Sequence, residues 1–250
     1  MAMMNAEKDI LAAGLSALSR RDGAPGGLND SAYQDLLMEL MALVLERNKS
    51  VNLTAITEPE DFVRLHLIDS LSCVGLKELA KAKTIADVGS GAGFPGLPLA
   101  ALYPDKQFLL TDSLRKRIEF AGFTAKALGI ENARVLHIRA ENAGRDPILR
   151  EGFDLALCRA VGKMSLVLEY CLPLVRVGGA AVFYKTASAE KEIEESLRAR
   201  KTLGGSASVR IETNRDILPD RDHVLYVITK DRPTPKEYPR REGVPAKAPL

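Results

Sequence analysis

The stretch Thr84-Ile-Ala-Asp87-Val-Gly89-Ser-Gly91-Ala-Gly93-Phe94-Pro-Gly96 decides how this chain is read. Thr84-Ile-Ala-Asp-Val88 has the length and apolar character of a short buried strand, and a glycine-rich segment follows it directly. Glycine lets the backbone pass close to a ligand. Pro95 or Pro98 is placed to start a helix within its first turn. Strand, glycine loop and helix in that order form the context of a nucleotide-binding turn. A literal G-x-G-x-x-G stands at Gly91, Gly93 and Gly96. Asp112 ends the next predicted strand about 20 residues on, where an acid that holds ribose hydroxyls is expected.

Spacing alone leaves both a dinucleotide and S-adenosylmethionine open as ligands. Asp87 is read as sitting at the mouth of the loop, where a carboxylate would repel a pyrophosphate. S-adenosylmethionine has no phosphate and carries a cationic sulfonium and an ammonium group, which a nearby carboxylate favours directly or through water. The sequence therefore favours the methyl donor, with an NAD(P) oxidoreductase as the competing reading.

Working outward, further strands are predicted at Gln107–Thr111, Ala133–Ile138, Phe153–Leu157 and Gly179–Tyr184. Helical stretches at Leu97–Leu102, Leu114–Leu128, Ser165–Val175 and Ala189–Leu203 fall between or after them. This alternation predicts an α/β fold, Rossmann-like, with a mostly parallel sheet flanked by helices. A last strand, His223–Thr229, has no long helix after it and is expected to add antiparallel, at the sheet edge or between strands. Upstream, Asn29, Asp30 and Ser31 offer caps for an amphipathic helix carrying Leu36, Leu37, Leu40, Leu43 and Val44, and a second helix is predicted over 61–74. The expected organisation is an N-terminal extension over 1–27 that ends in a flexible joint, a small helical cap over 28–82, the nucleotide-binding domain over 83–231, and a basic proline-rich tail over 232–250.

Composition narrows the class. The 35 basic and 33 acidic residues give a net charge of +2, so the total does not announce a nucleic-acid binder and the distribution of charge must carry that argument. Cys73, Cys158 and Cys171 are odd in number and form no C-x-x-C, which excludes a full disulfide framework, argues against a zinc knuckle and suits a reducing cytosol. The first residues lack a signal peptide's pattern and no uncharged run reaches membrane-spanning length. The expectation is a cytoplasmic protein with no membrane or metal partner, and a monomer, since no coiled coil or large apolar stripe is left over.

Seven ordered segments resemble the RsmG (GidB) family of bacterial ribosomal RNA methyltransferases. They are Asn48–Ile56, His66–Leu71, Asp87–Leu99, Asp112–Arg117, Arg139–Glu141, Arg159–Val161 and the tail from Tyr238 to Leu250. The resemblance implies the class I S-adenosylmethionine-dependent methyltransferase fold and N7 methylation of one guanine in 16S rRNA or the small ribosomal subunit. It also implies cofactor contacts at Gly89, Phe94, Ala140, Glu141 and Arg159, beside Asp87, Gly91, Gly93 and Asp112. Alternatives are a methyltransferase acting on another RNA or a small molecule, and a non-catalytic ribosome-assembly binder.

Guanine N7 has an exposed lone pair and no proton, so direct methyl transfer needs no general base, in keeping with only three histidines and no evident acid–base pair. Arg159 is assigned a positioning role toward the cofactor carboxylate, an RNA phosphate or guanine O6; its structural alternative is an ion pair with Glu141 or Asp154. Cys158 reads as a small buried hydrophobe and not a nucleophile. His66 and Asp69 can share one helix face, while His137 and His223 read as packing residues. Arg115, Lys116 and Arg117, together with Lys49, Lys185, Arg240, Arg241 and Lys247, are expected to form a rim that binds RNA phosphates.

Overall fold

A computed structural model describes residues 2–212 and 222–250. Seven strands form one sheet in the order β3-β2-β1-β4-β5-β7-β6. These are β1 (Thr84–Val88), β2 (Gln107–Asp112), β3 (Ala133–His137), β4 (Phe153–Arg159), β5 (Val175–Thr186), β6 (Gly205–Glu212) and β7 (His223–Lys230). The first five pair in parallel. β7 lies antiparallel between β5 and β6, so the last strand inserts within the sheet and does not close its edge. β6 escapes the sequence reading. Its Gly205-Ser-Ala-Ser start carries little apolar signal, and only Val209 and Ile211 mark it as a strand.

Side-chain alternation along the strands splits the core between the two faces of the sheet. Ile85, Leu155, Leu157, Val182 and Leu225 join one apolar cluster, whereas Ala86, Ala156, Cys158, Phe183 and Tyr226 join the other. The first face is covered by the helices α1 (Ala2–Ser19), α2 (Ser31–Asn48), α3 (Gly96–Leu102) and α4 (Arg115–Ala127), and by the helical segment 59–73. The second is covered by α5 (Met164–Cys171) and the short helices Glu190–Glu195 and Leu197–Thr202. The single helix expected over 189–203 is broken at Ser196, whose buried hydroxyl donates to the Ile193 carbonyl at 2.7 Å in place of a continuing backbone ladder.

The N-terminal extension is no loose appendage. Residues 2–19 are helical, and Leu11, Leu15 and Leu18 are buried in the same cluster as Leu37 of α2 and Phe62. Their spacing of four and three residues puts them on one helical face. Arg21 closes the junction by donating to the carbonyls of Ser72 and Val74, which holds the end of α1 against the helical segment 59–73. Asp30 caps α2 by accepting from the Ala32 amide at 3.0 Å, in line with its sequence position. Because β1 to β4 are parallel, Gly89, Ser113, Ile138 and Ala160 all leave the sheet at one edge. The order reverses direction between β1 and β4, which opens a crevice there.

Candidate active site

The glycine loop is built by conformations that side chains disfavour. Gly89, Gly91 and Gly93 have φ of 76°, 60° and 106°. A Cβ on Gly89 would run into the Val161 side chain, and one on Gly93 into Leu97. The loop's amides point inward to protein acceptors. Thr111 O accepts from Gly89 and Ser90, Ser90 O accepts from Gly93 and Phe94, Asp112 Oδ2 accepts from Gly91 at 2.9 Å, and Asp87 Oδ2 accepts from Gly96 at 2.8 Å. A phosphate-binding loop needs such donors aimed at the ligand. Here they are engaged before any ligand arrives.

Asp87 does not stand at the mouth of the loop. Its position in β1 directs it with Ile85 to the helical face, where it is fully buried beneath the turn and also accepts from Ser90 Oγ at 2.6 Å. Burial pushes its carboxyl up to about 6, against the bonds from Ser90 and Gly96 that pull it down. The folded chain thus holds a proton that the unfolded chain releases near pH 3.8. Stability from this group is complete below that value and is lost as pH rises through about 6. Denaturant titrations of Asp87→Asn between pH 4 and 7 should show a flatter pH dependence than the parent chain; an identical slope would refute the assignment.

Between the loop and the ends of β2, β3 and β4 lies a pocket of about 240 Å³. Gly89, Asp112, Ala140, Glu141 and Ala160 stand on its wall. Asp112 Oδ1 accepts from the Leu114 amide at 2.7 Å, which fixes the carboxylate at the strand end. Glu141 is 3% exposed and accepts from the Gly243 amide at 3.0 Å and the Tyr170 hydroxyl at 3.4 Å. Of the other expected contacts, Gly91 and Gly93 shape the loop and do not line the pocket. Phe94 turns inward, stacked on His66 with ring centroids 4.9 Å apart and edge-on to Phe62.

Arg159 lies off this wall as well. It lines a neighbouring cleft of about 480 Å³, together with Leu65, His66, Asp69, Tyr184 and His223. The two spaces meet at Ala160, a non-glycine residue at φ 56°. The ion-pair partner of Arg159 is Asp69, at 2.9 Å, and neither Glu141 nor Asp154; Asp154 pairs with Arg176. Arg159 Nη1 also donates to Leu65 O, and Nη2 meets His66 Nδ1 at 3.0 Å. Burial, then the Arg159 charge, lower the His66 imidazole to about 3, so it is neutral and accepts at Nδ1. Its Nε2–H then donates to Thr54 Oγ1 at 2.7 Å. Burial opposes ionisation of Asp69, but the bond from His223 and the charge of Arg159 prevail and hold its carboxyl below the ordinary range. His223 therefore does more than pack: its Nδ1 lies 2.7 Å from Asp69 Oδ1. His137 is exposed and meets Ser113 O at 3.0 Å.

The expected basic rim divides. Arg115, Lys116 and Arg117 border a groove of about 410 Å³ facing residues 50–52, and Lys116 is exposed. Lys49 pairs with Glu46 on the surface at 2.5 Å. Lys185 is tied to Glu192 and to Gly162 O, both at 2.6 Å, and Arg240 is locked to the fully buried Glu169 at 2.6 Å. Both are engaged in ion pairs within the chain, and Lys185 also lines the larger cleft. Arg241 and Lys247 are exposed, but the tail around them is strapped down. Arg150 donates to the carbonyls of Thr234, Pro235 and Tyr238, and Val244–Lys247 forms a helical turn.

Among the described residues no helix is long and apolar enough to cross a membrane, and no cluster of three or more His, Cys, Asp or Glu could hold a metal ion. The family model for rRNA small subunit methyltransferase G matches residues 33–216. The ribosomal RNA small subunit methyltransferase G of Alkaliphilus metalliredigens is 41% identical over 225 residues, covering 89% of this chain and 92% of that protein. The protein of the same name from Exiguobacterium sibiricum is 42% identical over 230 residues, covering 91% and 95%. In fold the chain is similar to a Bacillus cereus O-methyltransferase solved with SAH, at a TM-score of 0.53 and 15% identity over 77% of this chain and 91% of that one.

Proposed function

The chain belongs to the rRNA small subunit methyltransferase G family, and from that premise we propose that it methylates N7 of a guanine in 16S ribosomal RNA, with S-adenosylmethionine as the donor. One observation carries the choice of donor. The amides at 89, 90, 91, 93, 94 and 96 are engaged within the protein, and the pocket they border presents the carboxylates of Asp112 and Glu141. A pyrophosphate would find few free loop amides there, and the two arginines that also line the pocket, Arg117 and Arg139, are engaged by Asn52 O and Glu242. When bound, S-adenosylmethionine supplies an electrophilic methyl group on a sulfonium.

Gly89, Ala140 and Glu141 would hold the donor, and Asp112, which keeps lone pairs beyond its two amide bonds, suits its ribose hydroxyls. The target base would enter the larger cleft and meet the donor across Ala160. No residue has to remove a proton. His66, the imidazole nearest Arg159, has both nitrogens engaged and serves as a strut. Rate enhancement would come from orientation and from fixed dipoles.

The test is methyl transfer from labelled S-adenosylmethionine to rRNA from a strain lacking this protein, with the modified base mapped. Absence of N7-methylguanosine would refute the function, and tight binding of NADH in a parallel titration would refute the donor. RNA is proposed to lie along the groove at Arg115–Arg117. The Arg115→Glu/Lys116→Glu variant should weaken RNA binding and reduce the salt slope by about one for each phosphate it no longer neutralises. Donor affinity should stay unchanged, because neither residue lines the donor pocket; unaltered RNA binding would exclude the groove.

A further inference from the structure

Helix α4 turns an aromatic ring out to solvent. Phe123 follows Lys116 by seven residues, two helical turns, so the two lie on one line about 10 Å apart along the axis. Arg115, Glu119 and Lys126 flank that line, and all five side chains are exposed, Phe123 to 60%. The inner side of the same helix buries Ile118, Phe120, Ala121 and Thr124. Phe120 braces the outer ring from within, with centroids 6.3 Å apart and planes inclined by 31°. A single exposed apolar side chain is ordinary on a protein surface. Ile148 and Val209 are of that kind, aliphatic and absent from the walls of both the donor pocket and the groove at Arg115–Arg117. Phe123 differs in carrying a π face, in having cations before and after it, and in standing on a helix that begins at the donor pocket. Leu114 and Arg117 line both that pocket and the groove, so the two spaces join at the start of α4.

Resting on the function proposed above, we propose that the outer face of α4 holds a single-stranded stretch of the RNA, with Phe123 stacked on an unpaired base and Arg115 and Lys116 on neighbouring phosphates. Cations that follow the backbone, with an aromatic ring set among them, are what single strands bind, because every base has a π face. In a duplex the bases cover one another's faces, so the strand has to be open where Phe123 meets it. Charge favours RNA over a protein partner. Glu119 pairs with Arg115 at 3.4 Å, and the stripe keeps a surplus of cations around the ring. An apolar protein surface would have to desolvate those cations, whereas a nucleic acid neutralises them. The role is one of placement: Phe123 is off the wall of the donor pocket and holds the RNA beside it.

The chain contains no tryptophan, so Phe123→Trp places a sole indole at the contact. Its emission should be quenched on titration with a single-stranded oligoribonucleotide and hold steady with a duplex of the same sequence. Val209→Trp, on β6 at the opposite edge of the sheet from β3, is the control and should keep its emission with both. In binding to unmethylated small ribosomal subunits, Phe123→Ala and Phe123→Leu should each lose about tenfold to a hundredfold, and Phe123→Trp should stay within about threefold of the parent chain. Because no charge is removed, Phe123→Ala should keep the parent's salt slope, unlike the Arg115→Glu/Lys116→Glu variant. Parental affinity in Phe123→Ala overturns the proposal. So does parental affinity in Phe123→Leu, which would point to an apolar protein surface in place of a base. An indole that is not quenched, or is quenched equally by the duplex, overturns it too, as does a loss of donor affinity in Phe123→Ala. If the parent chain transfers no methyl group to rRNA, the broader function fails. The indole titration needs no methylation, so it reports on this surface separately.

Discussion

Gly89→Ala is expected to weaken S-adenosylmethionine binding at least about thirtyfold, corresponding to about 2 kcal/mol. Gly89 holds φ 76°, a conformation costing an L-residue roughly 1–2 kcal/mol. The added methyl would also overlap the Val161 side chain, itself on the pocket wall. Either the loop backs away, breaking the amide bonds of Gly89 and Ser90 to Thr111 O, or Val161 moves into the space of the donor. Both outcomes spoil the same pocket. A control separates strain from site. Gly129 has φ 67° and only open space within 4 Å of where a Cβ would stand, so Gly129→Ala should carry the conformational cost alone and bind the donor normally. Calorimetric titration of both variants checks this. Wild-type affinity in Gly89→Ala would mean that the donor binds elsewhere.

The glycine loop is legible because its signal is contiguous: strand, turn residues and helix start lie within thirteen positions, Thr84 to Gly96. Asp112, Ala140 and Glu141 end up on the pocket wall because parallel strands bring their ends to one edge, a consequence of topology that alternation reveals. Asp87 is misplaced by a sequence reading because β1 is apolar on both faces. With Ile85, Ala86 and Val88 all buried, the sequence has no polar–apolar alternation to say which way residue 87 points. The Arg159 network is only half visible. His66 and Asp69 share a helix face by spacing, but Arg159 and His223 reach them across the fold. His223 sits opposite Thr186 only because β7 inserts beside β5, a register that no local pattern specifies. The first helix carries its signal in Leu11, Leu15 and Leu18, and the glycines and proline after it conceal that the chain turns back to pack.

The tail poses the opposite case, in which a residue read from the sequence as an RNA contact is engaged within the chain. Arg240→Ala is expected to destabilise the protein by about 3–5 kcal/mol, because it leaves a buried carboxylate without its cation. Glu169 is fully buried on α5 and accepts from Arg240 through the backbone amide at 2.7 Å, Nε at 2.9 and 3.1 Å and Nη2 at 2.6 Å. At roughly 2–4 °C per kcal/mol for a chain of this size, Tm should fall by about 6–20 °C. The double variant Glu169→Leu/Arg240→Met should recover most of that, since an apolar replacement removes both charges from the interior together. The loss also reaches the pocket. Gly243, three residues after Arg240, donates its amide to Glu141 on the pocket wall, so a loosened tail frees that carboxylate and donor affinity should fall along with Tm. An RNA contact would behave otherwise: Arg240→Ala would keep its Tm and lose only the salt-dependent part of RNA binding, and the double variant would rescue nothing. Thermal denaturation of the three proteins, with salt titrations of their RNA binding, therefore distinguishes a strap from a phosphate clamp.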